Sequence, residues 1–300
     1  MKCLVTGGAG FIGSNLVNKL IKDGHDVVIV DDLSTGKKDN IHPKAEAWIV
    51  DISDIDEYWD EIFDNIDVVF HTAAKARVQP SIKNPMEFNN VNVSGTLNML
   101  KCCVDYGVSR FIYSSSSSVY GNVEQLPTPE EHKLNPMSPY ALQKLIGEQY
   151  CKLYSELHGL ETVWLRYFNV YGDGMSLEGA YKLVIPIFTD QMLRGAPMTI
   201  RGDGNQRRDF TYVGDVIDAN IKCMDYPLEL NGDVFNVGNG DNKSVNQIAT
   251  MIGGKRVHIE PVVEPRVTLA DNSKIQKILN WKPTMDLKGW ISKWVKSLGL

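Results

Sequence analysis

The sequence predicts an α/β fold in which a doubly wound parallel sheet is joined to a smaller, irregular α/β lobe. Over residues 1–168, short and almost continuously apolar strands alternate with helical stretches. Such strands are typical of a parallel sheet that is covered by helices on both faces. A glycine-rich turn also joins the first strand directly to the first helix, so the chain begins as a βαβ unit.

The elements of the sheet follow in order from the first apolar run. The first strand is predicted at residues 2–6, and an amphipathic helix follows the glycine turn and closes at Gly24. A second strand begins at Asp26 and ends in the acidic pair Asp31-Asp32. Further strands are predicted at 46–50, 67–71, 110–115 and 162–167, and helices at about 54–64, 86–106 and 139–158.

The regular alternation of strands and helices ends after residue 168. Glycines, prolines and short elements dominate residues 169–209. Beyond them the sequence predicts a helix at 213–225, a strand at 233–237, and small helices at 244–252, 271–279 and 286–297. We therefore predict two domains. One is a Rossmann domain over 1–168 with returning segments at about 210–240, and the other is a substrate lobe over 169–209 and 241–300.

Composition excludes several classes of protein. The chain has 300 residues and a net charge of −6, which argues against general binding to nucleic acid or to an anionic membrane. No apolar run approaches the roughly 20 residues of a membrane span, and no signal-peptide pattern opens the chain. Five cysteines without metal-ligand spacing indicate free thiols in a reducing compartment. We therefore expect a cytoplasmic protein without a metal site.

The glycine turn predicts a dinucleotide site. Gly8, Gly10 and Gly13 form the Gly-x-Gly-x-x-Gly spacing, in which glycines permit a tight turn and close approach of backbone to a pyrophosphate. Asp31 ends the next strand, where a carboxylate can bind a ribose 2′-hydroxyl. Two adjacent acids would repel a 2′-phosphate, so NAD is favoured over NADP. Asp51, at the end of the third strand, is a candidate for the adenine end, and a solvated loop acid explains it almost as well.

A second motif predicts acid–base chemistry. Ser138 is a favourable N-cap and Pro139 suits the first helical position, so Tyr140 and Lys144 lie on one face of a helix that starts there. A positive helix end and an ammonium group both favour the phenolate, whose ordinary pKa is near ~10. An ordinary surface pair is the alternative. The serines at 114–118 end the fifth strand, which places Ser116 over the same crevice.

Taken together, the motifs resemble one family, the extended short-chain dehydrogenase/reductases, and within it the nucleotide-sugar 4-epimerases of the UDP-glucose/UDP-galactose type. The motifs cover nearly the whole chain. They are Thr6 to Gly13, Asp51-Ile52, His71 to Ala74, Asn92 to Thr96, Ser114 to Gly121, Tyr140-x-x-x-Lys144, Arg166 to Gly172, Arg207 to Phe210, and Leu269 to Asp271.

The resemblance implies a reaction and the residues that serve it. Ser116, Tyr140 and Lys144 are the implied catalytic residues, with Tyr140 taking the proton of the sugar 4-hydroxyl while hydride passes from C4 to tightly held NAD. The implied NAD-binding residues are Gly7, Gly10, Phe11, Ile12, Gly13, Asp31, Asp32, Leu33, Ser34, Asp51, Ile52, Thr72, Ala73, Ala74, Asn92, Ser114, Tyr140, Lys144 and Tyr167.

The resemblance also implies a UDP-sugar as substrate. The residues implied to bind it are Ser116, Ser118, Tyr140, Asn169, Val184, Arg208, Arg266 and Thr268. Thr268 falls where a small residue admits an N-acetyl group at the sugar 2-position, so UDP-GlcNAc is an expected further substrate. One departure concerns the diphosphate, because Pro261-Val262-Val263 stands where relatives usually carry an arginine. Arg256 or Arg266 is a possible substitute for it.

Other reactions of the same fold are distinguished by the residues after Ser116. Dehydratases carry an Asp-Glu pair there and decarboxylases a glutamate, whereas this chain has Ser117 and Ser118, which are neither strong acids nor strong bases. Epimerases of UDP-glucuronate and net reductases remain alternatives, although Asn169 favours neutral hexoses. The resemblance implies a homodimer through helices 86–106 and 139–158, whose apolar residues are equally explained as core.

Overall fold

The computed structural model describes residues 1–54, 58–175, 183–261 and 264–300. Within them, seven parallel strands form the central sheet in the order β11-β6-β5-β4-β1-β2-β3. The order reverses between β1 and β4, as in a doubly wound sheet. The predicted fold class is confirmed. These strands are β1 (Lys2–Thr6), β2 (Asp26–Val30), β3 (Glu46–Trp48), β4 (Val68–His71), β5 (Arg110–Ser116), β6 (Glu161–Tyr167) and β11 (Asp233–Val237).

Helices cover both faces of this sheet because successive strand residues point to opposite sides. In β1, Cys3 and Val5 pack with one layer while Leu4 packs with the other. The first layer contains α1 (Phe11–Lys22), α8 (Val213–Asp225) and α10 (Ser273–Leu279). The second contains α2 (Trp59–Ile62), α5 (Thr96–Asp105) and α6 (Pro139–His158). Two-sided burial explains why the strands read as continuous apolar runs.

A third apolar cluster lies beyond the sheet, around Tyr171, Phe188 and Trp290. It is built from α7 (Val184–Leu193), α9 (Val245–Ile252) and α11 (Leu287–Ser297). Short strand pairs accompany it. They are β7 (Val170–Tyr171) with β10 (Thr211–Tyr212), β8 (Met198–Arg201) with β13 (Arg256–Ile259), and β9 (Arg207–Asp209) with β12 (Asn242–Ser244). The predicted division into two domains stays a prediction, and α10, assigned to the substrate lobe, packs on the sheet.

The structure differs from the predicted helices in four places. The stretch 86–106 is interrupted: α4 (Pro85–Asn89) passes through a wider π-helical segment at Asn90–Gly95 before α5 begins. Two helices, α3 (Val78–Lys83) and α7, were not predicted because they contain Pro80 and Pro186. Each proline lies in the first turn of its helix, where proline is tolerated. Of the predicted helix 54–64, Trp59–Ile62 is helical, and residues 55–57 lie outside the described parts of the chain.

No helix among the described residues is long and apolar enough to cross a membrane. All five cysteines lie in described parts of the chain, and each is a buried free thiol.

Candidate active site

A cavity of about 1190 Å³ opens at the carboxyl ends of the strands, between β1 and β4, where the strand order reverses. Such a point is where doubly wound folds bind ligands. Its lining includes the glycine turn, the serines at and after the end of β5, Tyr140, and the segment around Arg208 and Thr268. The sequence motifs that were predicted separately therefore share one space.

The glycine turn leaves no room for side chains. A Cβ atom on Gly13 would lie 2.1 Å from the carbonyl oxygen of Gly7, and one on Gly7 would lie 2.8 Å from Cα of Ala73. Gly7 also has a φ of 70°, a conformation that costs glycine little. Helix α1 begins directly afterwards, so the N–H groups of its first turn present a positive end to the cavity.

Asp31 organises the neighbouring wall. One carboxylate oxygen accepts the N–H of Ala9 at 2.9 Å and the other accepts that of Leu33 at 2.8 Å. Burial raises the pKa of Asp31, and these two backbone hydrogen bonds oppose the rise. Each oxygen keeps further acceptor capacity, so the carboxylate can hold the glycine turn and still accept from a hydroxyl. Asp32 instead accepts the N–H of Ser34 at 2.9 Å.

The first segment after β4 is fixed by hydrogen bonds to β1. The Thr72 hydroxyl donates to the carbonyl of Thr6 at 2.7 Å, and the Ala73 N–H donates to the Thr6 hydroxyl at 3.2 Å. His71 lies behind them, fully buried between the hydroxyls of Thr6 and Thr96 at 2.8 and 3.0 Å. Burial lowers the pKa of His71 to about 3, so this imidazole is neutral and structural.

Tyr140 lies in the first turn of α6, as predicted. Ser138 caps that helix by accepting the N–H of Ala141 at 3.2 Å, and the Tyr140 N–H donates to the Ser81 hydroxyl at 3.1 Å. The Tyr140 side chain lies in the same cavity as Ser116, whose hydroxyl accepts the N–H of Ser118 at 3.2 Å. Burial raises the pKa of Tyr140, while Ser116 and the positive charge of Arg77 lower it. Burial has the larger effect here, contrary to the sequence-based expectation of a lowered pKa.

Lys144 is buried beneath this turn, with 3% of its surface exposed. Its ammonium donates to the carbonyl oxygen of Ser114 at 2.7 Å and lies 4.8 Å from the centre of the Tyr113 ring. Burial lowers the pKa of Lys144 to about 8, and the nearby Cys151 and Glu148 oppose this shift. The lysine is therefore anchored to β5 behind the tyrosine.

Other predicted residues support the site from behind. Asn92, buried in the π-helical segment, accepts the Lys75 N–H at 2.8 Å and donates to the Lys75 carbonyl at 2.9 Å. Tyr167, which lines the cavity, shares hydrogen bonds with Ser114 at 3.1 Å and with Asn220. Thus Asn92 fixes the loop after β4, and Ser114 fixes the wall at Tyr167.

The opposite wall holds the predicted substrate residues. Arg208 forms an ion pair with Glu264 at 2.8 Å, and both line the cavity. The Thr268 hydroxyl accepts the N–H of Asp209 at 3.2 Å and lies 3.5 Å from the Asn169 amide nitrogen. Asn169 has a φ of 25°, in the left-handed region that asparagine tolerates better than most residues.

The structure does not bring every predicted residue to the cavity surface. Arg266 is exposed and pairs with Asp203 at 2.6 Å, and Val184 stands at the start of α7 beside cavity residues Leu183 and Pro186. Arg256 donates to Thr250 at 2.9 Å, away from the cavity lining. Among described residues, those predicted for the site that do not line it are Leu33, Asn92, Ser114, Lys144, Val184 and Arg266. Val262 and Val263, at the departure from the arginine pattern, lie outside the described residues.

The cavity also has lining residues that sequence reasoning missed. Lys75 and Arg77 follow the Ala73-Ala74 motif, and their two positive charges in an otherwise small-residue stretch were an available signal. Arg201, at the end of β8, and Trp294, in α11, also line the cavity. They carried no local signal because tertiary packing alone brings these distant segments to the site.

Two tests in the structure show that the cavity suits a dinucleotide and a polar ligand. The glycine turn forms a cradle that a single Cβ would fill, with α1 and Asp31 placed for a pyrophosphate and a ribose hydroxyl. Two buried polar atoms in the cavity lining, Ser118 Oγ and Trp294 Nε1, have no hydrogen-bond partner among the described residues. Buried polar groups are normally hydrogen-bonded, so these two atoms indicate a polar partner, a ligand or water, that the described residues do not supply.

Comparison with known proteins agrees with this geometry. Residues 3–238 match the model of the NAD dependent epimerase/dehydratase family. A UDP-glucose 4-epimerase of Mycolicibacterium smegmatis is 37% identical over 99% of this chain and 98% of its own length.

Solved structures give the same result. The UDP-glucose 4-epimerase of Thermotoga maritima, solved with UDP-glucose, is 38% identical, with a TM-score of 0.93 over 99% of this chain and 98% of its own. The UDP-N-acetylglucosamine 4-epimerase of Methanobrevibacter ruminantium is 35% identical, with a TM-score of 0.91 over 98% of this chain and 97% of its own. These matches confirm the predicted resemblance, the enzyme class and NAD as the cofactor. The chain belongs to the NAD-dependent epimerase/dehydratase family.

Proposed function

We propose that the protein is an NAD-dependent UDP-sugar 4-epimerase that interconverts UDP-glucose and UDP-galactose and also accepts the N-acetylated pair. The observation that supports this most is that Ser116 and Tyr140 line the same cavity as the glycine turn, and that Ser116 lowers the pKa of Tyr140 against the effect of burial. A hydroxyl placed between the two can lose its proton to Tyr140 in the same space as the dinucleotide cradle.

The site residues serve either in proton transfer or in orienting the substrate hydroxyl. NAD, held by the glycine turn and Asp31, would supply reversible hydride transfer at the sugar C4, so that no net oxidation would result. Tyr140 accepts the 4-hydroxyl proton and gives it back, and Ser116 orients that hydroxyl. Lys144 contributes its positive charge from behind the tyrosine.

The residues that directly follow Ser116 support epimerisation over elimination. Ser117 and Ser118 line the cavity beside Ser116, where water loss would need ionisable side chains. At these two positions a 4-keto sugar would meet hydroxyls rather than carboxylates. It would therefore keep its C6 substituent, and reduction on its other face would give the C4 epimer.

The wall around Arg208 suits the nucleotide diphosphate. The Arg208 guanidinium is paired with Glu264, which is 37% exposed, and an ion pair with an exposed partner contributes little stability. A diphosphate can replace Glu264 and take bidentate hydrogen bonds from the guanidinium. Arg201, which lines the same cavity, supplies a second cation and is better placed than Arg256 or Arg266 to substitute for the missing arginine.

We also propose a homodimer in the cytoplasm. The apolar residues of the two predicted helices divide between roles: Met99 and Leu100 are core, whereas Leu153 and Leu157 are 45% and 72% exposed on α6. A helix face with such residues is suited to pairing with a second copy.

The proposal is tested by incubating the purified protein with UDP-glucose, UDP-GlcNAc, UDP-glucuronate or GDP-mannose and following products by NMR. We expect C4 epimers without added cofactor. The Tyr140→Phe variant should keep its NAD and lose turnover by a factor of about 100 or more, since general-base catalysis contributes about that much. A 4-keto-6-deoxy product, or a requirement for stoichiometric NADPH, would contradict the proposal.

N-acetyl acceptance is tested at Thr268, whose side chain lines the cavity beside Asn169. Thr268→Tyr should lower kcat/KM for UDP-GlcNAc by at least about tenfold relative to UDP-glucose, because about 1.4 kcal/mol of clash suffices for that factor. The ratio of the two substrates cancels a general loss of active protein, and Thr268→Ser is the matched control. An unchanged ratio would remove Thr268 from the 2-position pocket.

A further inference from the structure

A buried carboxylate, that of Asp209, lies directly behind the substrate wall, by which we mean the cavity lining at Arg208 and Thr268. Asp209 is fully buried at the end of β9 and follows Arg208 in the chain. Its N–H donates to the hydroxyl of Thr268 at 3.2 Å. Asp209 can therefore act on the cavity through these two neighbours without touching a ligand itself.

The carboxylate holds two other segments of the chain against β9. Its Oδ1 accepts the N–H of Asn239 at 2.8 Å, and its Oδ2 accepts the N–H groups of Gly240 and Ala270, both at 3.0 Å. Asn239 and Gly240 precede β12, which pairs antiparallel with β9, and Ala270 follows two residues after Thr268. One side chain thus fixes β9, the approach to β12 and the segment 268–270 relative to one another.

The arginines beside Asp209 have other partners. Arg207 donates from Nε to the side-chain oxygen of Asn242 at 2.6 Å, and Arg208 pairs with Glu264 at 2.8 Å. Among the described residues, the carboxylate is held by backbone N–H groups. Burial raises the pKa of Asp209 to about 6, and its three backbone hydrogen bonds oppose the rise. Burying a carboxylate costs free energy, which such hydrogen bonds offset.

We propose that Asp209 is a positioning residue whose carboxylate holds Arg208 and Thr268 in place for a nucleotide-sugar before that ligand binds. The inference rests on the proposed function for the identity of the ligand, since Arg208 is assigned there to the diphosphate and Thr268 to the sugar 2-position. One carboxylate would then set the distance between the two contacts. A wall that is ordered in advance avoids the cost of ordering it on binding.

The first test compares steady-state kinetics of the wild type and Asp209→Asn with UDP-glucose. Asparagine has the same shape, but its amide nitrogen cannot accept the N–H groups that the carboxylate holds. We expect KM to rise about tenfold, as for loss of one charge-assisted hydrogen bond to the ligand. The kcat should stay within about twofold, because Ser116 and Tyr140 are held by β5 and α6.

Asp215→Asn is the matched control. Asp215 is also buried and also accepts a backbone N–H, that of Thr284 at 3.0 Å, but it lies in α8, outside the described lining of the cavity. This variant should lose thermal stability and keep the wild-type KM. An unchanged KM in Asp209→Asn, an equal rise of KM in both variants, or a loss confined to kcat would overturn the proposal.

Hydrogen exchange of the wild type gives a second readout, which needs no variant to fold. In NAD-bound protein without nucleotide-sugar, the amide protons of Asn239, Gly240 and Ala270 should already be protected, because all three donate to a buried carboxylate. Amides that become protected only after UDP-glucose is added would show that the ligand orders the wall, contrary to the proposal. The exchange experiment requires no turnover, so a protein that does not epimerise UDP-sugars contradicts the proposed function while the role of Asp209 is still tested.

Discussion

Lys144 shows at the scale of one residue how a functional group is held at a cost in stability. The lysine is 3% exposed, and burial lowers its pKa from 10.5 to about 8. Its hydrogen bond to Ser114 and its contact with Tyr113 offset part of that cost. A depression of this size corresponds to about 3 kcal/mol of disfavoured burial of the charged form.

This predicts an unusual response to pH. Below the folded-state pKa of about 8, Lys144 is charged in both states, and the full cost of burying that charge opposes folding. Between about pH 8 and about pH 10.5, the unfolded chain binds more protons than the native protein, so stability rises with pH. Lys144→Met should therefore be at least as stable as wild type near pH 7, and its advantage should shrink by about pH 10.

Urea unfolding of the wild type and Lys144→Met at several pH values measures this difference. Lys152→Met, at an exposed position on the same helix, controls for loss of a lysine in general. A wild-type advantage near neutral pH that does not change on the way to about pH 10 would contradict the assignment of a depressed lysine pKa.

At the scale of elements, the site depends on how helices begin. The residues at the start of α6 have separate tasks: Ser138 caps the helix by accepting the Ala141 N–H, and Tyr140 faces the cavity. The first turn of α1 is capped by no side chain, because its N–H groups face the cavity. The cap of α6 therefore fixes the Tyr140 side chain, whereas the uncapped first turn of α1 keeps N–H groups that can bind an anion.

Ser138→Ala should therefore affect both stability and activity. Loss of an N-cap costs about 1 kcal/mol, and fraying of the first turn loosens Tyr140, so we expect kcat to fall several-fold. The matched control is Ser244→Ala, which removes the capping box of α9 far from the tyrosine. The control should lose similar stability in thermal unfolding and keep its kcat. Equal kcat in both variants would show that the cap does not position Tyr140.

At the scale of the whole molecule, one helix connects the site with the proposed partner subunit. The inner face of α6 carries Lys144 and Cys151 into the core, and its outer face carries Leu142, Leu153 and Leu157 at the surface. Pairing of two copies through the outer face would bury these leucines while the inner face holds the site.

Leu153→Glu/Leu157→Glu should convert the proposed dimer to a monomer, because charges on a buried apolar face are strongly unfavourable. Light scattering after size exclusion measures the mass, and circular dichroism checks that the fold is kept. Leu228→Glu alters an equally exposed leucine outside α6 and should leave the mass unchanged. A double variant with the wild-type dimer mass would place the interface elsewhere.

Much of the fold and of the candidate site could be predicted from local sequence patterns. The apolar strands of the sheet were readable from sequence because both faces are buried, and strand 233–237 and helices 139–158 and 213–225 have the predicted bounds. The glycine turn, Asp31, Ser116 and Tyr140 were readable because each carries a steric or chemical requirement at a fixed spacing from a strand or helix end. Where prolines masked a first turn or a π-helical segment interrupted a helix, the local pattern was misleading.

The tertiary structure decided the relations between distant groups. It placed Arg266 on Asp203 rather than in the cavity, brought Arg201 and Trp294 into the lining, and directed the ammonium of Lys144 toward Ser114. It also set burial against the charges that act on Tyr140, and placed Arg77 among those charges. Sequence determines which groups a segment can offer. Burial, distance and charge pairing arise from segments far apart in the chain, so the packed molecule alone sets which groups meet and in what ionisation state.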